Sequence, residues 1–302
     1  MARDDDEDRP RRPRRYDDRD DEYRPPPPKS NAGLLIGILA GVFLVVCGGG
    51  GFLVWQFMRA AQGVVAQAQA QVAEAEARVL AEQETIETNE NLDRIGVALH
   101  NYDDVHNRLP NDTYGLGPKK AGVTTPKPLL SWRVHLLPSL GHEPLYKRFK
   151  LDEPWDSPNN KPLIDQMPAV YGRPAEQTAA GPGKTFYRGF CHAGAVFEKP
   201  RVPNQPNPVS LASIRAADGL PITIAVIEAA EPIEWTRPDE LDWSPGAPRP
   251  NFGGTGPKRE FFLALMMDGT VQKVRMTVPD KTLRDLIHRS DGMVIGTDWK
   301  YP

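Results

Sequence analysis

An uninterrupted apolar segment constrains this chain more than any other feature. Residues 33–58 read GLLIGILAGVFLVVCGGGGFLVWQFM, with no charged residue and Gln56 as the one strongly polar side chain. About twenty apolar residues are enough to span the hydrocarbon core of a bilayer. We therefore expect residues 33–58 to form a single transmembrane helix, with the lipid bilayer as its partner.

A cleaved signal peptide is the alternative interpretation of this segment. Signal peptides have a brief basic leader, a shorter apolar core and a small-residue cleavage site. Here a long charged and Pro-rich stretch comes first, and Trp55 and Arg59 form an interfacial end. These differences favour a retained anchor over a cleaved signal.

The tail before this segment sets the expected orientation. Residues 1–32 consist mainly of Asp, Glu, Arg, Pro and Tyr, a composition typical of disorder. Basic residues next to a span stay in the cytoplasm, and the tail carries Arg9, Arg11, Arg12, Arg14, Arg15, Arg19, Arg24 and Lys29. We expect a single-pass protein of the cytoplasmic (inner) membrane, with its N-terminus inside and its C-terminal domain outside.

A long helical stalk is predicted after the membrane, over residues 59–88. No proline occurs between Arg59 and Tyr102, and the composition is rich in Ala, Gln and Glu. An alanine-padded heptad seam is formed by Val65, Val72, Val79 and Ile86. A second small-residue stripe, inside the apolar segment, is formed by Gly33, Gly37 and Gly41. Both predict self-association, but a lone solvated stalk and the ordinary abundance of glycine in membrane helices explain the same patterns.

The remaining residues, 89–302, are predicted to form one globular domain of the α+β class. Leu92, Ile95, Leu99 and Tyr102 fall on one helical face and should dock on the domain. Residues 129–140 form a buried element, strand or short helix, and residues 221–230 a core strand. An Asp268–Gly269 turn between two apolar stretches predicts an antiparallel hairpin, and residues 282–290 a short closing helix.

Several segments resemble one known family. They are NLDRIGVALHNYDDVHNRLP, the long block PLLSWRVHLLPSLGHEPLYKRFKLDEPWDSPNNKPLIDQMPAVY, and the later blocks GKTFYRGF, AADGLPITIAVIEAAEPIEWTRPDEL and LALMMDGTV. The family is the planctomycete-type domain-of-unknown-function family fifteen-fifty-nine, which is prepilin-like and related to pilins and type II secretion. The resemblance covers roughly residues 89 to 298.

The resemblance implies a pilin-like architecture, in which a long N-terminal helix packs on an antiparallel sheet. The chain departs from the family in two places. A prepilin cleavage motif does not precede the apolar stretch, which argues against processing and filament assembly. Lys258 stands where many members carry a histidine. The family supplies no established catalytic residues.

Three groups of polar residues are candidates for chemistry, each with a simpler explanation. His100, Asp103, Asp104 and His106 could bind a metal, but a spacing of six places the two histidines on different helical faces. Acidic loops around 152–156 and 228–240 could act as acid–base pairs or bind calcium, but ion pairs with Arg133, Arg148 and Arg237 explain them better. Trp155 and Trp235 could line a groove for a peptide or glycan, or anchor their loops; Cys191 is expected to be buried.

Overall composition limits the function. The net charge of −3 argues against a nucleic-acid partner, and two cysteines exclude a disulfide framework. We predict no catalytic, cofactor-binding or metal-binding residues. The expected function is a membrane-anchored extracytoplasmic structural or interaction protein whose partner is an unknown protein or glycan. The alternative is an extracytoplasmic hydrolase that acts on polysaccharide through acidic loop residues.

Overall fold

The computed structural model describes residues 51–112, 114–120, 123–173, 181–199, 209–253 and 260–302. The chain divides into two compact units, Met1–Val72 and Ala73–Pro302. In the first unit, the described residues are helical. The sheet, the core and the buried charges all belong to the second unit.

A single long helix opens the described part of the chain. This helix, α1, covers Gly51–His106 and therefore runs past the predicted end of the stalk at residue 88. Within these ranges, the structure contains no helix long and apolar enough to cross a bilayer. Residues 33–50, which hold most of the predicted span and the glycine stripe, lie outside the described residues, as does the tail.

Four antiparallel strands form the main sheet. They are β3 (Lys184–Arg188), β4 (Ile224–Glu234), β5 (Phe261–Met266) and β6 (Val271–Arg275), and they lie side by side in that order. A long helix followed by an antiparallel sheet confirms the α+β class. The β5–β6 turn contains Gly269 at φ 88°, a left-handed conformation that suits glycine, so the hairpin predicted at Asp268–Gly269 is confirmed.

The C-terminal half of α1 packs on this sheet. Leu92, Ile95 and Leu99 are fully buried, and Tyr102 is half-buried against the same core, which confirms the predicted docking face. Gly96 lies in closest contact, since a Cβ there would stand 2.9 Å from Leu265 Cδ1. The missing side chain lets the helix approach the β5–β6 hairpin.

The remaining elements are short. A two-stranded hairpin, β1 (Tyr114–Lys120) with β2 (Val123–Pro128), was not expected from its Gly-, Pro- and Lys-containing sequence. The helices are α2 (Trp132–His135), α3 (Glu143–Tyr146), α4 (Leu211–Ala216) and α5 (Asp280–Ile287). Short 3-10 helices cover Lys161–Gln166, Ala169–Tyr171 and Leu220–Ile222.

Two of these elements settle predictions. The buried segment 129–140 contains the helix α2 rather than a strand, with Trp132 and Val134 fully buried. The closing helix α5 begins at Asp280 and ends at Ile287, so it starts and ends slightly before the predicted 282–290. The outer edge of β6, which no strand of the sheet pairs with, contacts the C-terminal segment: Tyr301 N–H donates to Lys273 O at 2.8 Å.

Candidate functional site

A buried arginine connects three segments in the centre of the second unit. Arg133 lies on α2, which Ser131 caps by accepting a hydrogen bond from the Arg133 backbone N–H. The guanidinium binds Glu240 through Nη1 (2.7 Å to Oε1) and Nη2 (3.2 Å to Oε2). It also donates to Tyr187 O and to Ser131 Oγ. All five N–H groups of Arg133 therefore have acceptors, and both side chains of the ion pair are fully buried.

A second carboxyl group, Asp112, lies at the edge of this cluster. Its Oδ1 accepts a hydrogen bond from Trp132 N at 3.0 Å, and no hydrogen-bond partner of its buried Oδ2 lies among the residues that the structure describes. Burial raises the pKa of Asp112 well above its usual range, and the neighbouring charge of Glu240 raises it further. Two carboxyl groups thus share one environment, and only Glu240 is directly paired with Arg133. We refer to Asp112, Ser131, Arg133 and Glu240 as the Arg133 cluster.

Another buried arginine joins α1 to the sheet. Arg173 is fully buried and binds Glu84 of α1 through Nε (3.1 Å) and Nη2. Its Nε also lies 3.7 Å from Glu228 Oε1 on β4, and Glu228 Oε2 accepts from Leu263 N at 2.9 Å. The guanidinium stands over the Phe186 ring at 5.1 Å. This Arg173 cluster fastens the helix to the sheet through charge as well as through apolar contact.

The sequence contained no signal that would have identified Arg173 as a clamp. Its partner Glu84 lies 89 positions earlier in the chain, and no local spacing links two residues that far apart. Asp112 was also missed, because its hydrogen bond with Trp132 joins residues that are 20 positions apart, with the β1–β2 hairpin between them in the sequence.

Burial favours the neutral forms of three side chains near these clusters, Cys191, His135 and His192. Burial raises the pKa of the Cys191 thiol to about 12, so the thiolate that a nucleophile requires is scarce near neutral pH. Burial lowers the pKa of His135 to about 4, and it also lowers that of His192. Cys191 is buried, as predicted, and its Sγ lies 3.3 Å from Glu240 O. The geometry supplies structural hydrogen bonds rather than an activated nucleophile.

One histidine–aspartate group has metal-like spacing. In the part of the chain that the structure describes, Asp218, His288 and Asp291 have potential ligand atoms within 4.8 Å of one another. Asp218 Oδ1 and Oδ2 accept from the backbone N–H groups of Gly292 and Asp291, both at 2.7 Å. His288 Nδ1 accepts from Ser290 N at 3.2 Å. These bonds brace the C-terminal loop and explain the group without a metal ion.

Two of the four metal candidates at the end of α1 bind separate segments of the domain. His100 Nε2 lies 2.8 Å from Met267 O in the β5–β6 hairpin, and Asp103 Oδ1 accepts from Leu211 N at the start of α4. His106 packs against the Tyr102 ring, with 4.1 Å between centroids. Of the four predicted residues, His100 and Asp103 therefore dock the helix at two separate points, whereas His106 contacts its own helix and Asp104 is exposed.

The predicted acidic loops do not meet in one accessible place. Glu228 is fully buried within the Arg173 cluster, whereas Asp152 and Asp156 are exposed. Arg237 pairs with Asp239 at 3.0 Å, and Arg133 with Glu240, as the ion-pair interpretation predicted. Arg148 was expected to bind an acid but binds the amide of Gln166.

The two predicted loop tryptophans differ in environment. Trp235 is fully buried, donates from Nε1 to Ile164 O at 2.9 Å and stacks on Tyr171 at 5.8 Å, so it belongs to the core. Trp155 is half-buried, and the Arg237 guanidinium lies over its ring at 5.7 Å. Of the two rings, only Trp155 can therefore contact a ligand from solvent.

Comparison with known families decides the classification. Residues 86–290 match the family described as "Protein of unknown function (DUF1559)", which is more than half of the chain. The chain belongs to the DUF1559 family. No curated protein and no solved structure matches it.

The DUF1559 resemblance has a structural counterpart in the two clusters. Arg133 comes from the long central block, Tyr187 from the GKTFYRGF block, and Glu228 and Glu240 from the block that ends at Leu241. The Arg133 cluster thus joins blocks that are distant in sequence, and Glu228 accepts a hydrogen bond from Leu263 N of the LALMMDGTV block. Because buried charges must be paired to be tolerated, the blocks act as one structural unit.

Proposed function

We propose that this DUF1559 protein is a membrane-anchored, pilin-related structural or interaction protein, with its folded unit displayed outside the cytoplasmic membrane. The apolar run of residues 33–58 would provide the anchor, and the basic tail would remain in the cytoplasm. A long helix on an antiparallel sheet is the architecture that a pilin relation requires. The displayed domain would bind an extracytoplasmic protein or glycan.

The observation that carries the proposal is the exposed apolar start of α1. Trp55, Phe57 and Met58 are each about half exposed, at 54%, 50% and 49%. The Arg59 guanidinium lies 5.0 Å from the Trp55 ring centroid. An aromatic ring beside a basic residue, directly after an uncharged apolar run, is typical of a membrane–water interface. A bilayer would cover these apolar side chains, whose contact with water costs free energy.

The chemistry of the domain favours a non-catalytic role. The buried side chains of Arg133 and Arg173 are bound to internal acceptors, and burial raises the pKa of the Cys191 thiol to about 12. A hydrolase of the alternative type requires two carboxyl groups that face a substrate. Glu228, the first acid of the second group, lies in strand β4 and is enclosed in the core. These features support binding and display rather than hydrolysis.

Alkaline carbonate extraction and protease accessibility test the anchor and its direction. We expect the full chain to remain with the membrane pellet, and protease added to intact spheroplasts to digest the domain. The double substitution Leu44→Arg and Val45→Arg should weaken retention, because each central arginine costs about 2.5–3.5 kcal/mol on insertion. Gln56→Arg, at the end of the span, is the matched control. Release of the unmodified chain by carbonate would refute the anchor, and a protected domain would reverse the topology.

A further inference from the structure

An unusual row of exposed aliphatic side chains runs along α1. Within the second unit, Val79 and Ile86 lie seven residues apart and are 63% and 53% exposed. In the first unit, Val72 continues the same spacing and is 56% exposed. Isolated exposed aliphatic residues are common on protein surfaces, but a heptad row of β-branched residues is typical of a helix that pairs with another.

This row faces away from the domain. Ile95 follows Ile86 by nine residues, or about two and a half helical turns, so the two side chains point in opposite directions. Ile95 is fully buried against the core, and Ile86 is exposed. A second helix can therefore contact the Val79–Ile86 face without displacing the contacts that dock α1.

The residues between and beside the row fit a second copy of this helix. Ala75 and Glu82 occupy the intermediate heptad positions, and the small Ala75 permits a close approach between helices. In a parallel pair, Arg78 would lie beside Gln83 of the other copy, so this flanking position brings no like charges together. The Glu82 layer is the exception, because two carboxylates would face each other there.

We propose that two copies of the chain pair in parallel and in register along Ala75–Ile86 of α1. The parallel direction rests on the proposed membrane anchor, since two copies inserted in the same orientation present their α1 helices in the same direction. The paired segment ends where domain docking begins, because Thr88 is already buried.

Cysteine crosslinking in native membranes tests the pairing. Val79→Cys, Ile86→Cys and the control Ala77→Cys are made in full-length protein that carries Cys47→Ser. Cys191 stays in place because it is buried with a raised thiol pKa. Mild oxidation should yield homodimers for Val79→Cys and Ile86→Cys. Ala77 is exposed but lies on the opposite side of the helix, so Ala77→Cys should remain mostly monomeric.

The two positions together determine the direction of pairing. In an antiparallel pair, the two-fold symmetry axis crosses the helices at one point, and only a residue near that point lies beside its own copy. Two sites seven residues apart, about 10 Å along the helix, cannot both lie at that point. Homodimers at both sites therefore require parallel, in-register helices. Homodimers at one site only, equal yields at Ala77→Cys, or an adduct with a different protein would each overturn the proposal.

Variants without cysteine provide an independent readout. In detergent-solubilised full-length protein, Val79→Lys with Ile86→Lys should weaken dimerisation about tenfold or more, because apolar contact is lost and like charges are introduced. Glu82→Leu should strengthen it. All three positions are exposed in the single chain, so an unchanged circular dichroism spectrum confirms that the fold is intact. Unchanged dimer fractions in both variants would overturn the pairing.

Failure of the pairing and failure of the anchor give different results. If carbonate releases the protein but both cysteine sites crosslink, the anchor is wrong and the parallel pair remains. If the protein stays in the membrane but neither site crosslinks, the pairing is wrong and the anchor remains.

Discussion

Replacing Glu240 with Gln removes the negative charge from the Arg133 cluster with little change of shape. Glu240 and Arg133 are both fully buried, and their side chains share two hydrogen bonds of 2.7 and 3.2 Å. Removal of one partner from a buried ion pair costs about 3–5 kcal/mol, because the remaining charge has no counter-charge. In this cluster, however, Asp112 is a second carboxyl group close to Arg133.

The loss should therefore depend on Asp112. Its pKa is raised mainly by burial and further by the charge of Glu240, so Glu240→Gln removes one reason for it to remain protonated. Loss of the Glu240 charge should lower the pKa of Asp112 and favour its ionised form, which would partly neutralise Arg133. We expect Glu240→Gln to cost about 3–5 kcal/mol in an Asp112→Asn background. In the natural background it should cost less by at least about 1 kcal/mol, within the usual range for coupled neighbours.

A double-mutant cycle measures this coupling. Unfolding of the four full-length proteins in urea is followed by the fluorescence of the buried tryptophans, among them Trp132 and Trp235. The same substitution at an exposed acid, Glu76→Gln, serves as the control and should change stability by less than about 0.5 kcal/mol. Equal costs of Glu240→Gln in both backgrounds, to within about 0.5 kcal/mol, would refute the reasoning.

Two further predictions concern pH and helix docking. Asp112→Asn should stabilise the protein near pH 7 by about 0.5–2 kcal/mol. Because the pKa of Asp112 is raised in the folded state, this residue destabilises the fold as pH rises above the unfolded-state pKa of 3.8. The gain in stability from Asp112→Asn should therefore vanish below that pH, which urea titrations at several pH values will measure. A gain that does not change with pH would contradict this origin. Ile95→Ala should cost about 2–5 kcal/mol because Ile95 is fully buried, whereas Val97→Ala, at a residue that is 62% exposed, should change stability by less than about 0.5 kcal/mol. Similar losses for the two variants in thermal unfolding would mean that the helix docks through a different face.

Much of the fold followed from local patterns. The docking face of α1 follows from apolar residues at helical spacing, and the β5–β6 hairpin from a turn that glycine alone adopts easily at Gly269. A core strand was predicted over 221–230 from Ile222, Ile224, Val226 and Ile227; the last three lie buried in β4, whereas Ile222 ends a 3-10 helix just before it. In each case the signal lies within a few neighbouring residues.

The β1–β2 hairpin shows where local patterns fail. Its first strand, Tyr114–Lys120, contains two glycines and a proline and lacks the alternation of apolar and polar residues that marks a strand. Its pairing partner supplies the hydrogen bonds that its own composition does not predict. Pairing between strands overrides intrinsic propensity there.

By itself, the sequence determined the family, the α+β class and the apolar run on which the proposed anchor depends, because each is a property of contiguous residues. Only the tertiary structure decided which charges are buried. Arg173 and Glu84 are 89 positions apart, and Arg133 and Glu240 are 107 positions apart. From sequence alone, a charged residue is predicted to be exposed at the surface. It can be buried only when the fold supplies a partner of opposite charge, since burial of an unpaired charge costs too much free energy.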